Sequence, residues 1–161
     1  MLTPKQVALL QKELETAQKP VFFYDDDQDG LTSFLLLYRI HREGRGVMVK
    51  SSSKLEKPML GKVEELKPDK IFVLDVPVIE QEFADGAHLP IFWIDHHQPI
   101  AIKNVQYFNP RLKYPDIYIP TSRMAYQVSQ RPEDLWIAAV GCLADYHLPD
   151  FLPQFIERYP K

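Results

Sequence analysis

The sequence has little cysteine, no long apolar run and no excess of positive charge. Cys142 is its single cysteine in 161 residues, which excludes an internal disulfide framework and a cysteine-based zinc site. The uninterrupted apolar runs are far too short to cross a bilayer, and the first residues show no secretory pattern. We therefore expect a cytoplasmic protein that does not associate with membranes.

The charge of the chain limits the partners that it can attract. The net charge is −3 at pH 7, so the chain as a whole offers no positive field for nucleic acid. A polyanionic partner would need a local source of positive charge, and bound divalent cations would provide one. The remaining composition, 45% hydrophobic and 25% charged, is ordinary for one globular domain with its own core.

Three segments share one pattern, in which four consecutive apolar residues run directly into an acid. They are VFFY before Asp25, IFVL before Asp75 and IFWI before Asp95. Continuous apolar runs predict strands buried on both faces, as in a parallel sheet covered by helices. VMVK at 47–50 is a fourth candidate strand, and VQYF at 105–108 is a weaker fifth.

Helical patterns lie between and after these strands. The predicted helices cover residues 1–18, 31–44, 56–68, 78–88, 119–130 and 131–147. Alternating strands and helices predict a doubly wound α/β fold with a mainly parallel sheet flanked by helices. We expect residues 1–19 to pack as a helix on a domain of residues 20–148, and residues 149–161 to form a tail or short helix.

The acids after the first strand alternate along the chain. Asp25, Asp27 and Asp29 precede Gly30, as at the start of a calcium-binding EF-hand loop, but the closing Glu of such a loop is replaced by Leu36. The preceding segment also has the pattern of a strand rather than a helix, which disfavours a calcium sensor. In an extended chain, carboxylates at alternate positions would point to the same side.

The acids that end the strands are expected to meet at one edge of the sheet, where open α/β sheets bind ligands. Carboxylates so close together repel each other and lose hydration, so divalent cations are the expected partners. Oxygen ligands with an imidazole suit Mn²⁺ or Mg²⁺, and this many carboxylates suit two cations. Taken singly, Asp29 could be a helix N-cap, Asp75 a turn residue and the Asp-His-His run a chance occurrence.

With these residues in view, the sequence resembles the DHH phosphoesterase superfamily, and within it the RecJ-like nucleases. The resemblance covers about residues 20–150 in four ordered motifs: DDDQDGLTS, VLDVP, IDHHQP with the following YFNP, and GCLADYHLPD. It implies the fold of the DHH N-terminal domain and metal-dependent phosphodiester hydrolysis with two Mn²⁺ ions, or Mg²⁺ in their place. Phe23 stands where many members have a histidine, for which Asp25 is a candidate substitute. The second, C-terminal domain that grips the substrate in complete members has no recognisable counterpart after Asp145.

The resemblance also implies a role for individual residues. The metal ligands would be Asp25, Asp27, Asp29, Asp75, His96 and Asp145, with Asp75 bridging the two cations. The catalytic set would be Asp75, His96, His97 and Asp95. Within it, His97 would face the substrate phosphate, and Asp95 would orient the neighbouring histidines.

Further substrate contacts are expected from Asn109, Arg111, Arg123 and Lys50. The three basic residues among them follow a strand or lie near the Asn-Pro segment, where their side chains would contact the phosphates of a nucleic-acid backbone. For each of them, a solvated surface position is the alternative. The aromatic residues Tyr107, Phe108, Tyr114 and Tyr118 are interpreted as core or turn residues, with base stacking as the alternative.

Three hypotheses about function follow. The first is an exonuclease of the RecJ type acting on single-stranded DNA or RNA. The second is a hydrolase of oligoribonucleotides, cyclic dinucleotides or other small phosphoesters, with a pyrophosphatase less favoured. The third, from another class, is a catalytically silent family member that binds nucleic acid or a replication protein. A homodimer or a partner protein is expected to supply the substrate contacts that the C-terminal domain makes in complete family members.

Overall fold

The structure is a computed structural model that describes residues 1–50 and 54–160. The strands are β1 (Val21–Asp25), β2 (Arg45–Val49), β3 (Lys54–Leu55), β4 (Ile71–Leu74), β5 (Val78–Ile79), β6 (Ile91–Ile94) and β7 (Gln106–Phe108). The α-helices are α1 (Pro4–Thr16), α2 (Gln28–His41), α3 (Leu60–Leu66), α4 (Gln81–Ala87), α5 (Thr121–Ser129), α6 (Leu135–Ala144) and α7 (Leu152–Arg158). Short 3₁₀ turns cover Lys57–Met59, Pro110–Leu112 and Pro132–Asp134.

A parallel sheet forms the centre of the domain. Across residues 1–50 and 54–160, five strands pair in the order β2–β1–β4–β6–β7, and every pair is parallel. The chain moves from β1 to β2 on one side and then returns to β4 on the other side. This reversal between β1 and β4 is a topological switch point, where a crevice opens at the carboxyl ends of the strands. The predicted doubly wound fold is confirmed.

Alternate residues of the strands contribute to two cores, one on each face of the sheet. Phe22, Phe72 and Phe92 pack under α1, α2, α5 and α6, whereas Phe23 and Trp93 pack against α3 and α4. All four residues of β4, and likewise of β6, are buried. The continuous apolar runs therefore reflect a strand covered by helices on both faces.

The first helix begins at Pro4, three residues after the start of the predicted range 1–18, with Thr3 as its N-cap. Thr3 Oγ1 accepts the N–H of Gln6 at 3.3 Å, and Gln6 Oε1 accepts the N–H of Thr3 at 2.8 Å. This reciprocal capping box stabilises a helix start by about 1 kcal/mol. Leu10 and Leu14 are fully buried in the same core as α2, α5 and α6. The helix thus packs into the helical layer on one face of the sheet.

Several boundaries differ from the prediction. The segment predicted as one helix over 78–88 begins with β5, which pairs with β3 and is followed by α4 from Gln81. A strand of two residues is too short to show an alternating pattern. The helices predicted over 56–68 and 131–147 each begin with a proline-containing 3₁₀ turn. Proline has no N–H to donate, so it suits the first turn of a helix.

The C-terminal segment contains a short helix, as one of the two predicted alternatives. This helix, α7, packs against α6, and Phe151 before it is buried in the core shared by α1 and α5. No helix within the described ranges is both long and apolar enough to cross a bilayer.

Candidate metal centre

The turn from β1 into α2 places three aspartates at the carboxyl edge of the sheet. Asp25 ends β1, Asp27 caps α2 by accepting the N–H of Gly30 at 2.9 Å, and Asp29 lies in the first turn. A Cβ on Gly30 would lie 2.5 Å from the carbonyl oxygen of Asp25. Glycine is therefore required for α2 to begin this close to the end of the strand.

The expectation that these three carboxylates share one side of an extended chain is wrong for Asp29. The chain is helical from Gln28, so the strand-like alternation ends at Asp27. The N-cap is also Asp27, and Asp29 instead turns inward from the helix and is fully buried. Asp29 thus reaches the centre through the helix turn and not through strand geometry.

Acids and imidazoles from several elements converge at this edge. Asp75 follows β4, His96 follows β6, and Asp145 caps the C-terminal end of α6. In the part of the chain that the structure describes, three overlapping groups have ligand atoms within 4.8 Å of one another. These groups are Asp25 with Asp27 and Asp75, Asp29 with His96 and Asp145, and Asp75 with His96 and His97.

His96 lies between the acids of this cluster. Its Nε2 is 3.2 Å from Asp75 Oδ1, 3.4 Å from Asp145 Oδ2 and 3.9 Å from Asp29 Oδ2. Burial lowers the pKa of His96, and the neighbouring His97 lowers it further. This favours the neutral imidazole, which is the form that binds metal ions.

The two most deeply buried acids of the cluster hold their protons more tightly than ordinary aspartates. Burial raises the pKa of Asp29 to about 7, although hydrogen bonds from Ser122 and Thr121 oppose the shift. Burial also raises the pKa of Asp75 well above its ordinary value, and the charge of Asp29 adds to this rise. Ionising both acids at neutral pH is therefore costly unless a cation compensates them.

Asp75 has a carboxylate oxygen available for a ligand. Its Oδ1 accepts from Thr121 Oγ1 at 2.9 Å and faces His96, whereas its Oδ2 has no hydrogen-bond partner among residues 1–50 and 54–160. The residue is 1% exposed and has a left-handed φ of 63°, a conformation that Asp tolerates better than most residues. An unpaired buried carboxylate oxygen is unfavourable. A hard divalent cation would satisfy it, so the donor set of the cluster fits Mn²⁺ or Mg²⁺.

A separate hydrogen-bonded unit holds His97. Asp95 Oδ1 lies 2.7 Å from His97 Nδ1, and Asp95 Oδ2 accepts from Tyr107 Oη at 3.0 Å and Asn109 Nδ2 at 3.2 Å. Burial lowers the pKa of His97, but the hydrogen bond and charge of Asp95 outweigh burial and raise it. Because Nδ1 is engaged, Nε2 is the ring nitrogen left to act on a ligand.

Two of the residues predicted to contact substrate lie at this edge of the sheet. Asn109 is 5% exposed and donates to Asp95 and to the carbonyl oxygen of His97, so its amide group supports the site from within. Lys50 is exposed and follows Val49, which pairs with Asp25 at the end of β1. Its backbone therefore lies one strand away from the acidic cluster.

The two predicted arginines have partners of their own. Arg123 forms a two-point ion pair with Asp150, with Nε–Oδ1 at 2.6 Å and Nη2–Oδ2 at 2.8 Å, and its guanidinium lies 5.3 Å from the centre of the Phe151 ring. Arg111 donates from Nε to the carbonyl oxygen of Pro115 at 3.0 Å. A contact with substrate would have to compete with these interactions.

Three residues beside the candidate ligands were not predicted to support them. The N–H groups of Thr121 and Ser122 donate to Asp29 at 2.7 and 2.9 Å, and Tyr118 Oη donates to Asp145 Oδ2 at 2.7 Å. The Pro-Thr-Ser run at the start of α5 indicates a helix N-terminus, whose first N–H groups lack helical acceptors. The sequence pattern does not indicate which carboxylate would accept them.

A model of the N-terminal domain of the DHH family matches residues 21–145. The chain belongs to the DHH family. The matched part of this DHH domain contains the whole acidic cluster, from Asp25 to Asp145. A search of curated proteins found none that matches the chain.

Solved structures share the fold of this DHH domain. RecJ from Thermus thermophilus in complex with Mn²⁺ has a TM-score of 0.70 and 19% identity over 91% of this chain and 25% of that one. Exonuclease RecJ bound to manganese has a TM-score of 0.67 and 19% identity over 90% of this chain and 44% of that one. CDC45 from Entamoeba histolytica has a TM-score of 0.63 and 15% identity over 96% of this chain and 36% of that one. At such identities the likeness shows the fold alone, and this chain spans less than half the length of each of these structures.

Proposed function

We propose that this DHH domain is a metal-dependent phosphodiesterase of the RecJ type, which removes nucleotides from single-stranded DNA or RNA. The observation that carries the proposal is the convergence of Asp75, other buried acids and His96 at one edge of the sheet, where Asp75 Oδ2 has no hydrogen-bond partner among the described residues. Membership of the DHH family and the manganese-bound RecJ structures of the same fold support it.

The residues that would hold two Mn²⁺ or Mg²⁺ ions are Asp25, Asp27, Asp29, Asp75, His96 and Asp145. Asp75 belongs to two of the three ligand groups, which supports its role as the ligand shared by both ions. Such ions, when bound, lower the pKa of water and neutralise charge on a phosphate group. The buried acids provide the negative charge that retains them.

His97 is proposed to act on the substrate. Its Nδ1 is held by Asp95, and its raised pKa favours the protonated ring, so Nε2 can donate a hydrogen bond to a non-bridging phosphate oxygen. Such a donor stabilises the negative charge that develops as the phosphodiester is attacked. Asp95, Tyr107 and Asn109 fix the ring before substrate arrives, which reduces the entropy lost in reaching the reactive arrangement.

The proposed chemistry needs no covalent intermediate with the protein. Cys142 is fully buried, and burial raises the pKa of its thiol to about 12. The thiolate form that would act as a nucleophile is therefore scarce at neutral pH. We interpret Cys142 as a core residue.

Nucleic acid is proposed to reach the site along the carboxyl edge of the sheet. Lys50 is exposed at this edge and would contact a phosphate of the backbone. Arg111 and Arg123 would do so only after giving up their present partners. We propose that a second copy or a partner protein provides further substrate contacts, and that the protein acts in the cytoplasm.

The second candidate function is binding of nucleic acid or a replication protein without hydrolysis. The position where the family resemblance expects a histidine is occupied by Phe23, which is fully buried in the core. The centre thus has one imidazole fewer than that pattern supplies. Cation binding by a domain that hydrolyses none of the substrates would support this second function.

One assay separates these functions. Purified protein is incubated with end-labelled single-stranded DNA, single-stranded RNA, a dinucleotide and a cyclic dinucleotide, with Mn²⁺ or with EDTA. We expect stepwise shortening of the DNA or RNA that requires Mn²⁺. We expect Asp75→Asn to slow it at least about a hundredfold, because the variant loses a shared charged ligand.

Asp85→Asn is the matched control, because Asp85 is an exposed acid on α4 and should be dispensable. Turnover of the dinucleotide or cyclic dinucleotide alone would select the small-phosphoester branch. Binding of DNA without any turnover in Mn²⁺ would select the silent alternative. Shortening that persists unchanged in EDTA would contradict metal dependence altogether.

A further inference from the structure

The start of α5 contacts two of the candidate metal ligands. Thr121 Oγ1 donates to Asp75 Oδ1 at 2.9 Å, and the N–H of the same residue donates to Asp29 Oδ2 at 2.7 Å. The N–H of Ser122 donates to Asp29 Oδ1 at 2.9 Å. Thr121, Ser122 and Asp29 are 0% exposed, and Asp75 is 1% exposed. These are buried hydrogen bonds to carboxyl groups, and they become stronger when a bound cation keeps the carboxylates ionised.

A single residue links two acids that belong to different ligand groups. Asp29 groups with His96 and Asp145, whereas Asp75 is shared by the other two groups. Thr121 holds the first acid through its backbone and the second through its hydroxyl. The branched Cβ of threonine restricts rotation about χ1. The relative position of the two acids is therefore set by one residue of limited freedom.

The hydroxyl also determines how Asp75 is oriented. Thr121 occupies Oδ1, and Oδ2 has no hydrogen-bond partner in the described part of the chain. A partial rotation of the carboxylate would break this hydrogen bond, whereas a half-turn only exchanges two equivalent oxygens, so the hydroxyl fixes the plane of the carboxylate and leaves one oxygen for a ligand. Loss of the hydroxyl would leave Oδ1 facing His96 and would weaken this restraint on the carboxylate.

We infer that Thr121 is a positioning residue of the metal centre, which fixes Asp29 and Asp75 relative to each other and presents Asp75 Oδ2 to the cations. This inference rests on the proposed function, because it takes Asp75 as the shared ligand. Partners that orient metal ligands commonly change metal affinity about 10–100-fold when they are removed. The hydroxyl of Thr121 is such a partner, and it comes from a residue 46 positions away from Asp75 in the sequence.

The inference is tested by isothermal titration of Mn²⁺ into the full chain without substrate. Thr121→Val keeps the branched shape and the backbone N–H but removes the hydroxyl, and we expect its Mn²⁺ affinity to fall about 10–100-fold. Thr121→Ser keeps the hydroxyl donor and should stay within about threefold of the original protein. Circular dichroism checks that each variant is folded.

Thr32→Val is the matched control. Thr32 is also buried, and its hydroxyl donates to the backbone carbonyl oxygens of Gln28 at 2.7 Å and of Asp29 at 3.3 Å instead of to a carboxylate. We expect the affinity of this variant for Mn²⁺ to equal that of the original protein. If Thr121→Val does not fold, Thr121→Ala replaces it in the same comparison with Thr121→Ser.

The outcomes separate this inference from the proposed function. Undiminished Mn²⁺ affinity in folded Thr121→Val, or equal losses in Thr121→Val and Thr121→Ser, would overturn the positioning role while leaving the hydrolase proposal intact. Failure of the original protein to bind Mn²⁺ would overturn both. A loss in Thr121→Val that Thr121→Ser restores, with Thr32→Val unaffected, supports the inference.

Discussion

Asp95 and Asp75 are both buried acids that follow a strand, yet their surroundings differ. Both oxygens of Asp95 have protein partners, among them His97 and Tyr107. Asp75 has one oxygen held by Thr121 and one without a hydrogen-bond partner within the described ranges. The first arrangement suits an acid that orients a neighbour, and the second suits an acid that binds a ligand.

Asp95→Asn tests the orienting role. The variant removes the negative charge that raises the pKa of His97, so we expect hydrolysis to fall about 10–100-fold while Mn²⁺ affinity stays within about threefold. The pH at which activity declines should move down, because a His97 of lower pKa loses its proton earlier. The measurement is kcat against pH, together with a Mn²⁺ titration.

Tyr107→Phe is a milder change to compare with Asp95→Asn, because it removes one of several hydrogen-bond donors to Asp95 and leaves the negative charge of Asp95 in place. Its loss of activity should be smaller and its pH profile nearly unchanged. An Asp95→Asn enzyme with full activity would show that His97 needs no such partner.

At this scale the sequence predicts residue types better than contacts. The strand-end positions of Asp25, Asp75 and Asp95 follow directly from the apolar runs before them. The contacts of Thr121 with Asp29 do not, because the two residues are 92 positions apart and no local pattern relates them. Long-range hydrogen bonds of this kind depend on how the helices pack.

Among the elements, the junction of β1 and α2 has the tightest geometry. A Cβ on Gly30 would approach the backbone oxygen of Asp25 to 2.5 Å and its nitrogen to 2.8 Å. Backbone atoms cannot move aside as the end of a flexible side chain can. Because Gly30 has no side chain, the helix turn that carries Asp27 and Asp29 can lie this close to the strand.

Gly30→Ala should lower the free energy of unfolding by about 1–3 kcal/mol, since the added methyl overpacks the junction. It should also weaken Mn²⁺ binding, because the first turn of α2 would move away from β1. Urea unfolding without metal and a Mn²⁺ titration measure the two effects.

Gly61→Ala is the control for a glycine in a helix. A Cβ there has no neighbour within 4 Å among the described residues, so the variant should gain up to about 1 kcal/mol from helix propensity. Equal stability of Gly30→Ala and the original protein would show that the junction is less constrained than this distance implies.

Long elements are predictable here and short ones are not. The apolar runs of β1, β4 and β6 are continuous because helices cover both faces, and that pattern is visible in the sequence. The pair β3 and β5 has two residues in each strand, which is too few for a periodic signal. The predicted helix over 78–88 was wrong at its start for this reason.

For the whole molecule, the concentration of acids at one edge makes stability depend on pH. Folding raises the pKa of Asp29 from 3.8 to about 7, so between these values the folded state holds a proton that the unfolded state has lost. Folding also raises the pKa of Asp75, so this acid too binds its proton more tightly in the folded state than in the unfolded state. The raised pKa of His97 adds stability below about pH 6.5 that is lost as pH rises through its folded pKa. All three contributions therefore fall as pH rises.

Without metal, the melting temperature should drop by about 5 °C or more between pH 5 and pH 8. Mn²⁺ should raise it at pH 8 more than at pH 5, because cations and protons compete for the same acids. Differential scanning fluorimetry with and without Mn²⁺ measures both effects.

Asp29→Asn should flatten the pH dependence, because it removes one of the buried acids responsible. A melting temperature that rises from pH 5 to pH 8 without metal would contradict this account of the buried acids. The wrong sign could not come from His97, whose contribution has the same direction, and the lowered pKa of His96 opposes the trend only below about pH 6.5, so the fall in melting temperature should be steepest above that pH.

The overall topology was predictable in outline, because strands and helices alternate along the chain. Convergence of Asp25, Asp75 and His96 required that β1, β4 and β6 be neighbours, which the sequence could suggest but not establish. The packing of α5 and α6 beside the acidic cluster was harder to predict from the sequence. Their apolar residues indicate burial, but not the face of the sheet on which they pack.

Anomalous diffraction at the manganese edge, from crystals of the chain grown with Mn²⁺, tests the central claim most directly. We predict two anomalous peaks at the carboxyl edge of the sheet, about 3.5–4 Å apart, with Asp75 in contact with both. No peak there, or manganese bound only at other sites, would contradict the proposal that this acidic cluster holds a pair of cations.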